Sequence, residues 1–305
     1  MFNKNHYFYQ MKIKNIKFKN NINEWTNCSI YFPNLKNQTN NSKPLVLLIH
    51  GFRAFKDWGF FPYFSEKIAE FGYFASTIDF SLNTLIDKEK CLFDMERFSK
   101  NTVTQEISEA KLFCSLLKNQ NFIDEEFEKF WNGEIFLIGH SLGGALAIMT
   151  AENLPTARKL VTICSIFDFD IYTERQKEDW LKNGFKEFTD STTNQKIRLD
   201  VNFLLDRLTY SGEKSLTSVV SRLKIPYYIL HTEADATVSP KAATILANAV
   251  SDKNLMKMEI IKSGNHLLNS SHPFKETNPV LEKIIKNILD FFQTTKNVIF
   301  VENIL

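Results

Sequence analysis

Residues 134–153 read EIFLIGHSLGGALAIMTAEN, and this stretch decides the fold. Ile135 to Ile138 is an apolar run of strand length. Ala145 to Asn153 carries a helical pattern, and the two are joined by Gly139-His140-Ser141-Leu142-Gly143-Gly144. A serine in G-x-S-x-G between a strand and a helix is the nucleophile elbow arrangement. The glycines are required sterically: the turn holds the serine at unfavourable backbone angles, and side chains at Gly139 and Gly143 would crowd the neighbouring strand and helix.

Outward from the elbow, continuous apolar runs recur at PLVLLIH (Pro44 to His50), FASTIDF (Phe74 to Phe80), KLVTICSIF (Lys159 to Phe167), YYILHT (Tyr227 to Thr232) and MKMEIIKSG (Met256 to Gly264). Runs of this kind belong to strands covered on both faces. Helical patterns lie between them at Asp57 to Phe71, Thr102 to Leu117, Pro240 to Val250 and Pro279 to Phe292. The alternation predicts βαβ units and an α/β, mostly parallel, doubly wound sheet. MKIKNIKF (Met11 to Phe18) and CSIYF (Cys28 to Phe32) alternate apolar and polar residues, which predicts an antiparallel hairpin ahead of it.

The interval Asp168 to Arg222, roughly 55 residues, breaks the alternation and is too long for a bare loop, so it should carry helices or a hairpin. We read residues 168–222 as a lid inserted into a core made of 1–167 and 223–305. Trp180 and Phe203 are candidates to face a pocket beneath it. Ser81 to Asn101 is a second irregular excursion that would pack beside the lid.

A serine needs a base, and the base needs an orienting group. Three histidines follow Ser141. His266 sits in a polar turn after the last strand, at the rim where ligands bind in open α/β sheets. His272 is the runner-up, and His231, ending a buried strand, reads as a packed residue. For the acid, Asp235 lies just past YYILHT; Glu233 and Asp168 are its competitors. The expected oxyanion donors are the backbone amides of Leu142, after the nucleophile, and Phe52, in the His50-Gly51-Phe52 turn after the third strand.

These motifs, with Asp235-x-x-Val238-x-Pro240 and Gly264-Asn265-His266, resemble the α/β-hydrolase superfamily over about residues 40 to 293. Within it, HGFRAFKDWGFFPYF and NHLLNSSHPF are similar to bacterial cinnamoyl/feruloyl-esterase-like and serine-peptidase-like hydrolases. The resemblance implies the α/β-hydrolase fold, the Ser141, Asp235 and His266 roles and a lid over the pocket, with no cofactor or metal. The substrate does not follow from it; with those roles the expected reaction is attack of Ser141 on the carbonyl of a small acyl substrate, an ester, thioester or amide. The rivals are a short-peptide peptidase, for which Glu174, Glu178 or Asp179 would pair a substrate amino terminus, and a catalytically silent binding protein. Asp79-Phe80-Ser81 departs from the Gly-rich turn of many relatives.

Of the 305 residues, 37 are Lys or Arg and 35 Asp or Glu, a net charge of +2, too balanced for a nucleic-acid or anionic-membrane footprint. The four cysteines, Cys28, Cys91, Cys114 and Cys164, show neither zinc spacing nor a disulfide framework, which suits a reducing cytoplasm. Met1 to Phe18 lacks the apolar core of a signal peptide, and no segment reaches the length of a membrane span.

Overall fold

A computed structural model describes residues 11–35, 42–190 and 193–294; the leader reading on residues 1–10 lies outside them. Strands β1 (Ile13–Lys19) and β2 (Trp25–Tyr31) pair antiparallel, Ile13 opposite Tyr31, around a turn in which Asn23 takes a left-handed φ of 62°. There follow β3 (Lys43–Ile49), α1 (Phe61–Phe71) and β4 (Phe74–Asp79). Helix α1 begins four residues later than the expected Asp57. The Asp57 carboxylate accepts from Lys56 and Lys88 instead of capping a helix, and Pro62 fixes the first turn.

The excursion after β4 holds β5 (Leu85–Asp87), β6 (Leu92–Phe93) and the short α2 (Met95–Phe98). Helix α3 (Val103–Leu116) is capped by Thr102, whose side chain accepts from the Gln105 amide. A six-residue α4 (Glu125–Phe130), capped by Asp124, is too short to show periodicity in sequence. Then come β7 (Trp131–His140), α5 (Leu142–Ala151) and β8 (Ala157–Ile163). The interval 168–222 contains α6 (Glu174–Asn183), the antiparallel hairpin β9 (Phe185–Thr189) and β10 (Lys196–Asp200), α7 (Val201–Leu208) and α8 (Leu216–Arg222). The chain closes with β11 (Tyr227–Thr232), α9 (Lys241–Ala249), β12 (Met256–Ile261) and α10 (Pro279–Gln293).

Eight strands form one sheet in the order β1-β2-β4-β3-β7-β8-β11-β12, parallel from β4 to β12. One face packs Phe113, Leu146 and Leu246 from α3, α5 and α9; the other packs Phe64, Ile68, Ile284 and Ile288 from α1 and α10. From β3 the chain winds first to β4 on one side and later to β7 on the other. The carboxyl ends of β3 and β7 therefore form the topological switch point, the place where ligands bind in such sheets. Every residue of α5 is buried, which explains why its sequence is apolar all round.

Apolar residues of the 168–222 interval form their own cluster: Trp180, Ile197, Leu199, Phe203 and Leu204, joined by Phe93 and Phe98 from the Ser81 to Asn101 excursion. Helix α8 does not belong to it; Leu216, Val219 and Val220 pack into the main core. Among the described residues, no helix is long and apolar enough to cross a membrane.

The hairpin, the end of β4 and α3 are tied by one buried carboxylate. Glu109 accepts from Asn20 Nδ2, Thr26 Oγ1, Ser81 N and Oγ, and Gln105 Nε2, so the unusual Ser81 is the residue that anchors this corner. One turn earlier on α3, Glu106 is buried with a single donor, Asn101 Nδ2 at 2.8 Å, and burial pushes its carboxyl up to about 8. The folded state thus holds this proton more tightly than the unfolded chain. The associated stability is complete below about pH 4.5 and is lost as the pH rises toward 8. Replacing Glu106 by Gln should remove that slope, up to about 1.4 kcal/mol per pH unit, when urea unfolding is compared between pH 5 and 8. Parallel pH dependences for the two proteins would contradict a buried, protonated Glu106.

Candidate active site

Ser141 sits at the β7–α5 corner with φ 58° and ψ −124°, a region that costs a non-glycine residue about 1–3 kcal/mol. The corner is over-determined. A Cβ on Gly143 would lie 2.2 Å from Ile49 O, and one on Gly139 would lie 2.1 Å from Gly143 O, so backbone fills the space on both sides. The Ser141 amide donates to Ile163 O of β8 at 2.9 Å. The serine side chain is left half-buried at the switch point.

The structure brings Ser141, His266 and Asp235 together. Ser141 Oγ is 3.0 Å from His266 Nε2, and His266 Nδ1 is 2.7 Å from Asp235 Oδ2. With a carboxylate facing Nδ1, that nitrogen carries the hydrogen, and the Nε2 lone pair faces the serine hydroxyl. Asp235 Oδ1 accepts from the amides of Thr237 and Val238, each at 2.8 Å. Burial alone would raise the carboxyl's proton affinity; the hydrogen bonds from His231, His266 and Val238 outweigh it and hold the group well below the usual carboxylate range.

The loop carrying His266 is set by its own polar residues. Asn265 Oδ1 accepts from the amides of Leu267 and Asn269, and Asn269 Oδ1 accepts from the Asn265 amide. Leu268 and Asn269 both take left-handed backbone angles there.

Gly51 brings the loop after β3 against the serine: a Cβ at this position would meet Ser141 Cβ at 2.9 Å and Oγ at 3.4 Å. Phe52, the next residue, packs its ring on Phe98 and Phe203 at centroid distances of 5.6 and 5.8 Å. Leu142 is the first residue of α5, and the first amides of a helix have no acceptor within it. Arg53 follows with a left-handed φ of 61° and is ion-paired to the buried Asp190, between β9 and β10.

The competitors lie elsewhere. His272 Nδ1 accepts from the Gly59 amide and Nε2 donates to Lys88 O, both at 2.9 Å, with the ring stacked on Trp58. Glu233 is exposed, and Asp168 accepts from the Asp170 amide. Glu174, Glu178 and Asp179 stand in solvent on α6, and Trp180 and Phe203 are buried in the insertion's own cluster rather than lining a pocket.

Three neighbours of the site were not legible as such. His140 donates from Nε2 to His266 O at 2.8 Å, and burial pushes its imidazole down to about 3, so it holds the His266 backbone as a neutral group. His231 is buried against Asp235, its Nε2 3.3 Å from Oδ2. Cys164 Sγ lies 3.3 Å from Thr232 Oγ1. Two overlapping sets, His140/Cys164/His266 and Cys164/His231/Asp235, could hold a metal ion, but each includes a partner of the Asp235–His266 hydrogen bond, which an ion would disrupt.

No family model matches the chain, and no curated protein matches it in sequence. Solved structures do resemble it over nearly its whole length. Est1E from Butyrivibrio proteoclasticus with ferulic acid bound has a TM-score of 0.66 at 16% identity, covering 91% of this chain and 97% of its own. The α/β hydrolase GrgF from Penicillium sp. sh18 has a TM-score of 0.68 at 13% identity over 92% and 98%. The mouse α/β hydrolase domain-containing protein 10 has 0.65 at 15% over 92% and 98%.

The tight approach at Gly51 has a measurable consequence. Gly51→Ala should displace the Ser141 side chain and slow covalent reaction with a fluorophosphonate about tenfold or more, with the far-ultraviolet circular dichroism unchanged. Reaction at the wild-type rate would mean that the loop after β3 yields more readily than its packing implies.

Proposed function

We propose that this chain, which has the α/β-hydrolase fold, is a serine hydrolase that cleaves carboxylic esters through an acyl-enzyme. The observation that carries the reading is the unbroken line from Asp235 Oδ2 through His266 to Ser141 Oγ, with the serine on a strained corner at the switch point of the sheet.

His266 Nε2 takes the hydroxyl proton as Ser141 Oγ bonds to the substrate carbonyl carbon. The carbonyl oxygen becomes the oxyanion, received by the amides of Phe52 and Leu142. The imidazolium, steadied by Asp235, returns its proton to the departing alcohol oxygen as the carbon–oxygen bond breaks. A water then gives a proton to His266 and attacks the acyl carbon, and collapse of the second tetrahedral intermediate releases the acid and restores Ser141. Thioesters and amides fit the same scheme. The peptidase alternative lacks a buried carboxylate among its named candidates, since Glu174, Glu178 and Asp179 are solvated.

The insertion reads as a wall of the site because it reaches the loop after β3 twice, through Phe203 on Phe52 and through Asp190 on Arg53. Since Trp180 and Phe203 are buried in its cluster, truncating either to Ala should cost about 3–5 kcal/mol and depress all substrates together, read as a lowered Tm and parallel losses on acetyl and longer acyl esters. A changed chain-length preference at constant Tm would instead place those rings at the substrate.

The activity itself is tested with a fluorophosphonate probe and a panel of p-nitrophenyl esters, aryl esters and aminoacyl amides. Labelling is expected in the wild type and abolished in Ser141→Ala. Asp235→Asn should lower kcat by something on the order of 10² to 10⁴, with Glu233→Gln nearly silent. His266→Ala should remove activity that His272→Ala keeps. Labelling that survives Ser141→Ala would move the nucleophile elsewhere.

A further inference from the structure

Asp235 is approached by a second imidazole to which the reaction scheme gives no task. His231 ends β11 and is buried, with Nε2 2.9 Å from Val238 O and 3.3 Å from Asp235 Oδ2. Both neighbours are acceptors, so this nitrogen carries a hydrogen and donates it between them. We propose that His231 is a positioning residue for the acid–base pair: its Nε2–H shares Asp235 Oδ2 with His266, fixes the carboxylate's rotation, and withdraws part of the charge available to the His266 imidazole. The inference rests on the reading of Asp235 and His266 as acid and base given above.

The carboxylate has donors on every side. Two amides occupy Oδ1 and two imidazoles meet at Oδ2, so it cannot turn without breaking one of them. Through Val238 O, the same ring also ties the end of β11 to the far side of the turn that carries Asp235. The other titratable groups facing this cluster are His140 from β7 and Cys164 at the end of β8. Burial pushes the first down to about 3 and the second up to about 12, so both are neutral around pH 7; Glu233, in the same turn, is exposed. Neither buried neighbour can replace the charge withdrawal that His231 provides.

The sign of its loss follows from hydrogen bonding to a charged group. Without the Nε2–H, more of the Asp235 charge faces His266 and the imidazolium is held more tightly. The base then frees its lone pair at higher pH, and the ascending limb of activity moves upward. A residue that only filled space would lower Tm and leave the limb in place.

The test compares wild type, His231→Leu and His231→Gln, whose amide nitrogen falls near the Nε2 position. It uses the pH dependence of fluorophosphonate inactivation and of kcat and KM for p-nitrophenyl acetate. The Leu variant is expected to move the limb up by roughly 0.5–1 pH unit and to lower kcat about tenfold with KM within about twofold. Gln should restore most of both. A Leu variant with lower Tm and an unmoved limb overturns the proposal. If Leu does not fold, His231→Asn, whose shorter amide does not reach Oδ2, takes its place against Gln with the same two outcomes. A wild type that no fluorophosphonate labels, or an Asp235→Asn variant of full activity, overturns the underlying reading and this inference with it, whereas an unmoved limb overturns this inference alone.

Discussion

The contact between the β7–α5 corner and the end of β3 is backbone against backbone, and the site depends on it. Gly143 stands where a Cβ would lie 2.2 Å from Ile49 O and 2.4 Å from His50 O, so the helix can enter only if that residue has no side chain. That approach bends the chain hard enough to leave Ser141 at a positive φ, and it brings the loop after β3 to within a methyl group of the serine side chain. Ala145 to Ala151 bury every side chain and supply the packing that opposes the local strain. Within the corner itself, Gly139 to Gly144, the positive φ falls on Ser141 alone.

Electrostatically, the floor of the site is a set of buried groups arranged around a single charge. Asp235 is the carboxylate, His140 and Cys164 are kept neutral by desolvation, and the ring nitrogens of His140 and His231 point at acceptors. A buried carboxylate is stable only if hydrogen bonds replace its lost hydration. Here the donors come from the turn itself and from two imidazoles, so the same bonds that satisfy the charge also hold the His266 ring at the serine. Glu109 solves a comparable problem at the other corner of the sheet, with five donors that tie the hairpin, the end of β4 and α3 together. A satisfied buried acid is therefore not by itself a sign of function; what distinguishes Asp235 is the line of hydrogen bonds that leads from it through His266 to the Ser141 hydroxyl.

Much of this architecture was legible because it follows from local periodicity. The runs PLVLLIH and YYILHT gave β3 and β11 nearly to the residue, and the strand–Gly-x-Ser-x-Gly–helix context gave the corner itself. Helix α4 carries no legible signal because six residues hold less than two turns of pattern, and α1 starts later than expected because Asp57 resembles a cap but answers Lys56 and Lys88. His231, ending an apolar run, reads as a packed residue, and it is buried. That it also meets Asp235 depends on how tightly the turn from Glu233 to Val238 closes, which alternation of apolar and polar residues does not encode. Trp180 and Phe203 read in sequence as pocket residues because large rings in an inserted segment must be covered by something; the segment instead builds a core of its own by recruiting Phe93 and Phe98 from about eighty to one hundred and ten residues away in the chain.

Arg53 shows why that recruitment matters to the chemistry proposed here. It directly follows Phe52 and adopts a left-handed backbone angle without being glycine, a conformation that needs an external hold. The hold is Asp190, buried between the two strands of the inserted hairpin and also bonded to the amide and hydroxyl of Thr193. Only the Asp190 side of this pair is buried, so the pair adds little net stability, but it fixes geometry, since leaving the buried carboxylate unpaired is costly. The aromatic contact of Phe203 on Phe52 acts in the same direction from α7. The amide expected to receive the oxyanion is therefore positioned from two sides: by the β3 end through Gly51, and by the insertion through Arg53. On the proposed reading, a change in this segment would reach the loop after β3 through both contacts at once, and the aromatic core of Trp180, Phe203, Phe93 and Phe98 holds those contacts more rigidly than a bare loop could.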